Sequence, residues 1–247
     1  MASSNMQQGK RVVFVRHGRS IFNELYKESD DNCPASDPWV IDSELSEKGF
    51  EQVRQRNEHL SEQIFNNNHS GTVRIISSPL IRCIQTCFHV LEAHHAIPSQ
   101  DRITLDPDCT ELEESSCDVG STFEELIMNE KVKQLLEKHF DLSLVEGRGK
   151  WWYQSNDSGE QTVHFEPWDV FMKRVECFVE KLFGEYSENA NTIVVFSHFT
   201  FIRECVNHLA TKFDKKIVTS IIADKQAESK IIPITHLENR EVIILDL

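Results

Sequence analysis

The chain has 247 residues, of which 39% are apolar, so it is long enough to bury a sizeable core, which disfavours a disordered chain or a disulfide-dependent mini-protein. Its 26 Lys and Arg against 40 Asp and Glu give a formal net charge of −14, which disfavours binding to nucleic acid or to an anionic membrane. Only 9 Gly and 7 Pro are present and no Gly/Ser-rich stretch separates two apolar halves, so we expect residues 1–247 to form a single domain.

The predicted elements follow from apolar periodicity and from capping residues. In chain order they are a strand over residues 12–15, a helix over about 46–65, a strand over 73–76, a helix from Pro79 capped by Ser78, a helix after a Ser121/Glu124 capping box, a helix from Glu166-Pro167, a strand over 193–196 with a helix after it, and closing strands over 231–237 and 242–245.

Strands that alternate with helices imply a mostly parallel sheet covered on both faces, so the predicted fold is α/β, a three-layer α/β/α sandwich. Such sheets bind ligands at the carboxyl ends of their strands. Two polar stretches near residues 26–41 and 141–165 are too long to be simple connections and are predicted to be functional loop insertions. In the second, Trp151, Trp152 and Tyr153 form either a lid that selects the leaving group or an anchor that holds the loop on the core.

Cysteine usage and the N-terminal sequence indicate where the protein works. The seven Cys are scattered and form no C-x-x-C pair, so they favour reduced thiols over a disulfide framework or a structural zinc site. Cys83 and Cys87 are expected to be small core residues. The longest apolar runs span four residues and the start of the chain has no apolar signal segment, so we expect a soluble, cytoplasmic protein.

The predicted strand ends carry imidazole and guanidinium side chains. Arg16 and His17 follow the first strand, Arg82 lies one turn into the helix after the second, and His198 follows the strand over 193–196. In a sheet of this kind these residues meet in one crevice. Guanidiniums bind phosphate oxygens in pairs, and a helix start adds backbone donors, so the expected ligand is a phosphate group on a small molecule. The alternative is that each residue is structural.

A neutral imidazole is a competent nucleophile for phosphorus, and phosphoryl transfer requires mainly positioning and charge stabilisation. The sequence contains no P-loop, no H-E-x-x-H and no Asp-rich cation loop of regular spacing. We therefore expect a reaction that needs no metal ion and no other cofactor.

Four motifs occur in a fixed order along the chain. They are Arg16-His17-Gly18-Arg19-Ser20-x-x-Asn23, Asp42-x-x-Leu45-Ser46-x-x-Gly49, Ser77-Ser78-Pro79-Leu80-x-Arg82-x-x-Gln85-Thr86 and Ser197-His198. The first resembles the R-H-G-x-[ST]-x-x-N signature of the histidine phosphatase superfamily, and the others resemble its D-x-x-L-[ST]-x-x-G, second-arginine and second-histidine motifs. Residues 234–237 resemble the last strands of that family, whose fold is phosphoglycerate mutase-like.

The resemblance implies that His17 is the nucleophile that forms a phosphohistidine. It also implies that Arg16, Arg82 and His198 clamp the transferred phosphoryl group. The positions of these residues at the predicted strand ends lead to the same site.

The family resemblance places Asn23 close to the phosphoryl group, and the alternative is a helix-start or turn residue. Two positions depart from the family pattern: Arg19 stands where an acidic residue is common, and Phe199 stands where Gly usually follows the second histidine. We expect Arg19 to be a solvated surface charge and Phe199 to narrow the pocket.

Members of this family use an acidic residue to protonate the leaving oxygen, often in a D-P-x-L-x-E stretch. Residues 106–111 match this stretch with Cys109 in place of Leu, which makes Glu111 the predicted proton donor. Leu112-x-Glu114 matches a shorter L-x-E form, so Glu114 is the alternative, and Glu113 is expected to be solvated. The run Cys117-Asp118-x-Gly120-Ser121 that follows resembles eukaryotic mutase-like phosphatases.

These features predict a phosphomonoester hydrolase that acts through phosphohistidine on a small phosphorylated metabolite. One alternative is a phosphoglycerate mutase, although the Glu-rich segment after Gly120 supplies few basic residues for a carboxylated sugar acid. The other is a phospho-ligand-binding scaffold without turnover, since folds can keep a site after losing activity. The sequence sets neither the substrate nor the oligomeric state.

Overall fold

A sheet of eight strands runs through the centre of the computed structural model, which describes residues 11–28, 37–55, 72–92, 102–155, 163–188, 190–213, 219–223, 226–230 and 242–246. The strands are β1 (Arg11–Arg16), β2 (Val73–Ser77), β3 (Ile103–Leu105), β4 (Phe140–Asp141), β5 (Thr192–Ser197), β6 (Thr219–Ala223), β7 (Gln226–Lys230) and β8 (Val242–Asp246). Their order in the sheet is β4-β3-β2-β5-β1-β8-β6-β7.

The five strands from β4 to β1 are parallel, which confirms the predicted mostly parallel sheet. Arg16 at the end of β1 lies opposite Ser197 of β5, and Ser77 at the end of β2 lies opposite Phe196. Parallel neighbours end on the same side, so the ends of β1, β2 and β5 form one edge, here named the carboxyl edge.

The strands β8, β6 and β7 continue the sheet in antiparallel pairing. The predicted strand over residues 242–245 is confirmed as β8, whereas residues 231–237 lie outside the described residues. The sequence does not predict β3, β4, β6 or β7. The sequence of β7 is QAESK, and its polar composition has no strand periodicity, so only its hydrogen bonds to β6 define it.

Helices cover both faces of the sheet. They are α1 (Ile21–Glu28), α2 (Glu47–Gln55), α3 (Ile81–Glu92), α4 (Phe123–Met128), α5 (Lys133–His139), α6 (Trp168–Phe183) and α7 (Phe199–Phe213). Along β1, Val12 and Phe14 pack into the core with α6 and α7, while Val13 and Val15 pack into the core with α2 to α5. The alternation of strand side chains thus builds two cores, and the three-layer α/β/α sandwich is confirmed.

The start of α3 differs from its prediction. The helix begins at Ile81 rather than at Pro79, and the Ile81 N–H donates to the carboxylate of Asp42 at 2.9 Å. The predicted cap Ser78 accepts from the Leu80 N–H at 3.3 Å, ahead of the helix. The cap therefore comes from a residue far away in the sequence, which local patterns do not reveal.

The capping box ahead of α4 is one residue later than predicted. Thr122 and Glu125 form it, so the Ser121/Glu124 prediction is wrong. The Ser121 N–H donates instead to the second carboxylate oxygen of Asp42 at 3.1 Å. Asp42 thus joins the start of α3 to the turn before α4.

The remaining predicted helices are found where the structure describes them. The predicted helix over 46–65 is confirmed as α2 up to Gln55, and residues 56–65 lie outside the described residues. The helix after Pro167 is confirmed as α6, and Cys83 and Cys87 are buried on α3 as expected. Within the described ranges, every helix is too short or too polar to span a bilayer.

Candidate active site

The carboxyl edge brings His17 and His198 together. The backbone N–H of His17 donates to the carbonyl of Ser197 at 3.0 Å, so the ends of β1 and β5 hold each other in register. The two imidazole centroids lie 5.1 Å apart, and both side chains are buried. Two histidines far apart in the sequence therefore face one site.

The imidazole of His17 has a defined tautomer. Its Nδ1 lies 2.7 Å from the carbonyl oxygen of Gly18. Burial, followed by the positive charges of Arg82 and Arg16, holds the pKa of His17 well below its usual range, so the ring is neutral. A carbonyl oxygen only accepts hydrogen bonds, so Nδ1 carries the ring proton and Nε2 keeps its lone pair. Nε2 is therefore the ring nitrogen of His17 that is available to act as a nucleophile.

Gly18, which orients His17, is held in turn by α3. Its N–H donates to Oγ1 of Thr86 at 3.0 Å, and the Thr86 hydroxyl donates to the carbonyl of Arg82 at 2.7 Å. A Cβ at Gly18 would lie only 2.9 Å from Cγ2 of Val53, so this close approach requires glycine. Residues of the first and second arginine motifs thus fix the orientation of the imidazole together.

His198 is held from the turn after β2 and from α3. Its Nε2 lies 2.9 Å from Oγ of Ser78 and 3.4 Å from Sγ of Cys83. Burial, then the positive charge of Arg82, holds its pKa well below the usual range, so this ring is also neutral. From the sequence, Ser78 is only a helix cap and Cys83 only a core residue, because their partner lies on another strand.

Arg82 enters the site from the first turn of α3 and is 2% exposed. Its Nη2 forms an ion pair with Oδ1 of Asp118 at 2.9 Å, and its Nη1 donates to the carbonyl of Cys117. The sequence assigns Asp118 no role. The run Cys117-Asp118-x-Gly120-Ser121 marks this segment in the sequence. A short motif does not show, however, which cation the Asp118 carboxylate binds.

Phe199 contacts two arginines. The guanidinium carbon of Arg16 lies 5.4 Å from the Phe199 ring centroid, and that of Arg203, one turn further along α7, lies 5.2 Å from it. These distances allow cation–π attraction. The residue that departs from the family pattern therefore packs against one of the predicted phosphate-binding residues, and its narrowing of the pocket stays a prediction.

Glu111 lies at the N-terminus of α7. Its two carboxylate oxygens accept from the N–H groups of Thr200 and Phe201 at 3.2 and 3.1 Å. Its carbonyl accepts from Nη2 of Arg174 at 3.0 Å, which fixes the backbone of this segment to α6. The first turn of α7 thus holds the carboxyl group of Glu111, and α6 holds its backbone.

The electrostatic surroundings of Glu111 suit a proton donor. Burial, followed by the negative charge of Asp118, raises its pKa above the ordinary value, while Arg16 and Arg82 act in the opposite direction. Both arginines of the predicted phosphate clamp therefore lie close enough to act on Glu111.

The other two glutamates of this segment face elsewhere. Glu113 is 2% exposed and accepts from the His164 N–H at 2.9 Å, so its expected solvated position is wrong. The segment before α6, which contains His164, covers the Glu113 side chain. The local sequence around Glu113 does not indicate this contact. Glu114 is exposed; partial burial and the negative charge of Asp118 raise its pKa as well, and Arg203 acts in the opposite direction. The choice between Glu111 and Glu114 remains a prediction, and the positive charges of Arg16 and Arg82, which act on Glu111, favour Glu111.

Asn23 helps to begin α1. The Ser20 N–H donates to Oδ1 of Asn23 at 3.2 Å, and the Asn23 N–H donates to Oγ of Ser20 at 3.1 Å, an arrangement typical of a helix start. Its proximity to the phosphoryl group stays a prediction. Arg19 is paired with Glu24 at 2.8 Å and is only partly exposed, rather than a solvated charge.

Both predicted loop insertions contact residues 113–121, the segment that carries Asp118. From the first, Asp37 accepts hydrogen bonds from the backbone and hydroxyl of Ser116 at 2.8 and 2.6 Å. From the second, Nε1 of Trp151 donates to the carbonyl of Ser121 at 2.8 Å. A Cβ at Gly120 would lie 2.3 Å from the Trp151 ring, so the indole packs directly on the backbone. These contacts favour an anchor at Trp151.

The cationic charge of the site comes from guanidinium groups of the chain. Arg16 and Arg82 act on two neutral imidazoles, and this combination is chemically able to bind a dianion and leaves a nitrogen lone pair free for attack at phosphorus. Among the residues that the structure describes, no group of three or more His, Cys, Asp or Glu is placed to hold a metal ion.

Several solved structures match the fold of this chain, and no curated protein matches its sequence. The ecdysone phosphate phosphatase from Bombix mori, in complex with tungstate, is 17% identical with a TM-score of 0.57, over 95% of this chain and 88% of its own. A mycobacterial glucosyl-3-phosphoglycerate phosphatase is 18% identical with a TM-score of 0.43, over 82% of each chain. A putative α-ribazole-5′-P phosphatase from Escherichia coli is 15% identical with a TM-score of 0.45, over 93% of this chain and 99% of its own.

At 17% identity, the similarity to the ecdysone phosphate phosphatase shows the fold alone. The sequence itself matches the model of the histidine phosphatase superfamily (branch 1) over residues 12–236, a range that contains all four motifs and the two facing histidines. The chain therefore belongs to the histidine phosphatase superfamily, branch 1.

Proposed function

We propose that this protein is a metal-independent phosphomonoester hydrolase that acts through a phosphohistidine at His17 on a small phosphorylated metabolite. The observation that carries the proposal is the neutral His17 imidazole, whose Nδ1 proton is bound to the Gly18 carbonyl and whose Nε2 keeps its lone pair beside two arginines. Family membership supports the same chemistry.

In the first step, the phosphoryl dianion binds to Arg16 and Arg82. A guanidinium has five N–H donors, and Asp118 and Cys117 take two of those of Arg82, so further donors serve the phosphate oxygens. Nε2 of His17 attacks phosphorus as the bond to the leaving oxygen breaks. The equatorial oxygens gain charge, which the guanidiniums and the imidazole of His198 stabilise.

The leaving oxygen needs a proton, and Glu111 supplies it. Each carboxyl oxygen has two lone pairs, so the protonated form keeps its hydrogen bonds to the first turn of α7. In the second step, a water molecule attacks the phosphohistidine, and the Glu111 carboxylate takes its proton. Inorganic phosphate leaves, and His17 and Glu111 return to their starting protonation states.

The replacement His17→Ala tests the proposal directly. We expect it to abolish phosphate release from p-nitrophenyl phosphate, because water does not replace the covalent nitrogen. Rapid quenching of the wild type should trap an acid-labile, alkali-stable phosphoprotein that the variant lacks. His208→Ala, more than two turns along α7 from the site, is the matched control and should keep the wild-type rate. Retention of half the wild-type activity in His17→Ala would refute the mechanism.

The same assays separate the alternative functions. Conversion of 3-phosphoglycerate without net phosphate release would identify a mutase. Binding of inorganic phosphate without hydrolysis of any phosphomonoester in a broad panel would identify a scaffold. The panel also ranks the substrates. The residues assigned to the phosphoryl group do not predict this ranking, because every phosphomonoester presents the same group to them.

A further inference from the structure

Asp118 has no part in the mechanism above, yet both of its carboxylate oxygens are engaged. Oδ1 accepts from Nη2 of Arg82 at 2.9 Å. Oδ2 accepts from the hydroxyl of Ser115 at 2.7 Å, from its N–H at 3.2 Å and from the Glu114 N–H at 3.4 Å. Asp118 is therefore fixed at one end by its own turn and holds Arg82 with the other.

The ion pair lies where water does not compete for it. The exposed fractions of the two side chains are 3% for Arg82 and 6% for Asp118. A buried ion pair is an expensive way to stabilise a fold, because desolvation offsets much of its attraction. It does restrict a long side chain to one geometry, and the planar arginine fork binds phosphate only when its plane is oriented.

Arg82 and Asp118 are also joined through a second route. The Asp42 N–H donates to the carbonyl of Val119 at 3.1 Å, and the Asp42 carboxylate accepts from the Ile81 N–H at 2.9 Å. Val119 follows Asp118 and Ile81 precedes Arg82 in the sequence. Asp42 thus joins the backbone next to Asp118 to the backbone next to Arg82.

The charge of Asp118 extends to Glu111. The charged and titratable groups that act on Glu111 are Asp118 from the turn, Arg16 from β1, and Arg82 and Cys83 from α3, and Arg174 from α6 donates to its backbone carbonyl. After burial, Asp118 is the largest influence that raises the pKa of Glu111, and the two arginines lower it. Asp118 thus neutralises part of the positive charge that would otherwise ionise the proton donor.

We propose that Asp118 is a positioning residue for phosphomonoester hydrolysis, which orients the Arg82 guanidinium toward the transferred phosphoryl group and acts on Glu111 through its charge. The inference rests on the proposed function, since it assigns Arg82 to the phosphate and Glu111 to the leaving oxygen. Asp118 itself touches neither the phosphate nor the leaving group in this scheme.

A double-mutant cycle tests the action through Arg82. Asp118→Asn should lower kcat/KM for p-nitrophenyl phosphate by about tenfold or more, a coupling typical of residues in direct contact. In an Arg82→Ala background the same substitution should change kcat/KM by less than about twofold, because its target is gone. Equal losses in both backgrounds would overturn the positioning role.

Two further variants separate positioning from support of the turn. Asp37→Asn makes the same chemical change on a carboxylate that bonds Ser116 in this turn and should leave kcat/KM near the wild-type value. Asp118→Glu keeps the charge and should recover part of the activity lost in Asp118→Asn, even if the latter folds poorly. Equal activities of Asp118→Glu and Asp118→Asn, or an equal loss in Asp37→Asn, would contradict the proposal.

The pH profile is the readout that a purely structural role would not move. Removing the Asp118 charge should lower the pKa of Glu111, so the alkaline limb of kcat/KM for an alkyl phosphate should shift to lower pH in Asp118→Asn. The limb should stay in place in Asp37→Asn. An unshifted limb in Asp118→Asn would overturn the action on Glu111. Hydrolysis by the wild type and trapping of its phosphohistidine test the proposed function separately. Failure of the proposed function is therefore distinguishable from failure of the role proposed for Asp118.

Discussion

Glu111, Glu113 and Glu114 lie within four residues of one another, and the fold gives each a different environment. Glu111 faces Arg16 and Arg82, Glu113 is buried under the segment before α6, and Glu114 is exposed. Alternation along an extended backbone would put Glu111 and Glu113 on one side, so their different surroundings come from the segments that pack against each of them. Both the proton-donor role of Glu111 and the burial of Glu113 can be tested by replacing one carboxyl group at a time.

Glu111→Gln should slow the hydrolysis of an alkyl phosphate by about a hundredfold or more, since an alkoxide leaves slowly without a proton. The rate with p-nitrophenyl phosphate should fall far less, because its leaving group needs little protonation. The measurement is kcat/KM on both substrates, with Glu114→Gln as the matched control that keeps both rates. A selective loss in Glu114→Gln instead would transfer the proton-donor role to that residue.

Glu113→Gln should change how stability depends on pH. Burial, together with the charges of Asp118 and Glu166, raises the pKa of Glu113 from 4.5 to about 8. Below pH 4.5 the carboxyl group is protonated in both the folded and the unfolded state. As pH rises from 4.5 to 8, the unfolded state releases this proton while the folded state keeps it, so the free energy of unfolding falls by up to about 1.4 kcal/mol per pH unit. The Gln side chain does not ionise.

The melting temperature of Glu113→Gln relative to the wild type should therefore increase from pH 5 to pH 8 and then level off. Other titrating groups are shared by the two proteins, so their difference isolates Glu113. The exposed Glu114, whose pKa is raised by less, provides the comparison, and Glu114→Gln should show a smaller change with pH. A constant difference for Glu113→Gln would show that its carboxyl group is solvated.

Helices show which part of an element the sequence determines and which part it does not. The apolar faces of α3 and α6 follow the predicted periodicity, because a helix side chain reaches the core at a spacing of three or four residues. Their starts follow a different rule. The N–H groups of the first turn take whichever acceptor the tertiary fold supplies, as Asp42 does for α3 and Glu111 for α7.

The loop that carries Trp151 offers a prediction about a whole segment. Because its indole packs on Gly120 and donates to Ser121, Trp151→Ala should lower the melting temperature by about 5 °C. The ranking of phosphomonoester substrates should not change. Trp152, whose ring contacts Trp151 at 5.3 Å, is the paired test. A changed ranking at unchanged melting temperature in Trp152→Ala would identify a lid.

Across the molecule, a net charge of −14 coexists with a cationic site. The site draws its positive charge from Arg16 and Arg82, so activity is expected to survive EDTA. Arg82→Lys should still lower kcat/KM by about tenfold to a thousandfold, because a point ammonium does not reproduce a two-pronged donor. Activity lost on chelation and restored by Mg²⁺ would contradict a metal-independent reaction.

The sequence by itself determined three of the parallel strands, β1, β2 and β5, together with the two covered faces and the residues at the ends of these strands. Buried parallel strands are continuous apolar runs, and a polar residue directly after such a run lies at the sheet edge whatever the rest of the chain does. The order of strands and helices therefore sufficed to place His17, His198 and Arg82 together, and the register of β1, β2 and β5 agrees.

Only the tertiary structure decided the contacts between distant segments. The ion pair of Arg82 with Asp118, the burial of Glu113 and the capping of α3 by Asp42 each join residues from different segments of the chain. Periodicity reports what one strand or helix buries, since it depends only on local geometry. Which carboxylate meets which cation depends on how loops pack over the carboxyl edge, and no local pattern encodes that packing.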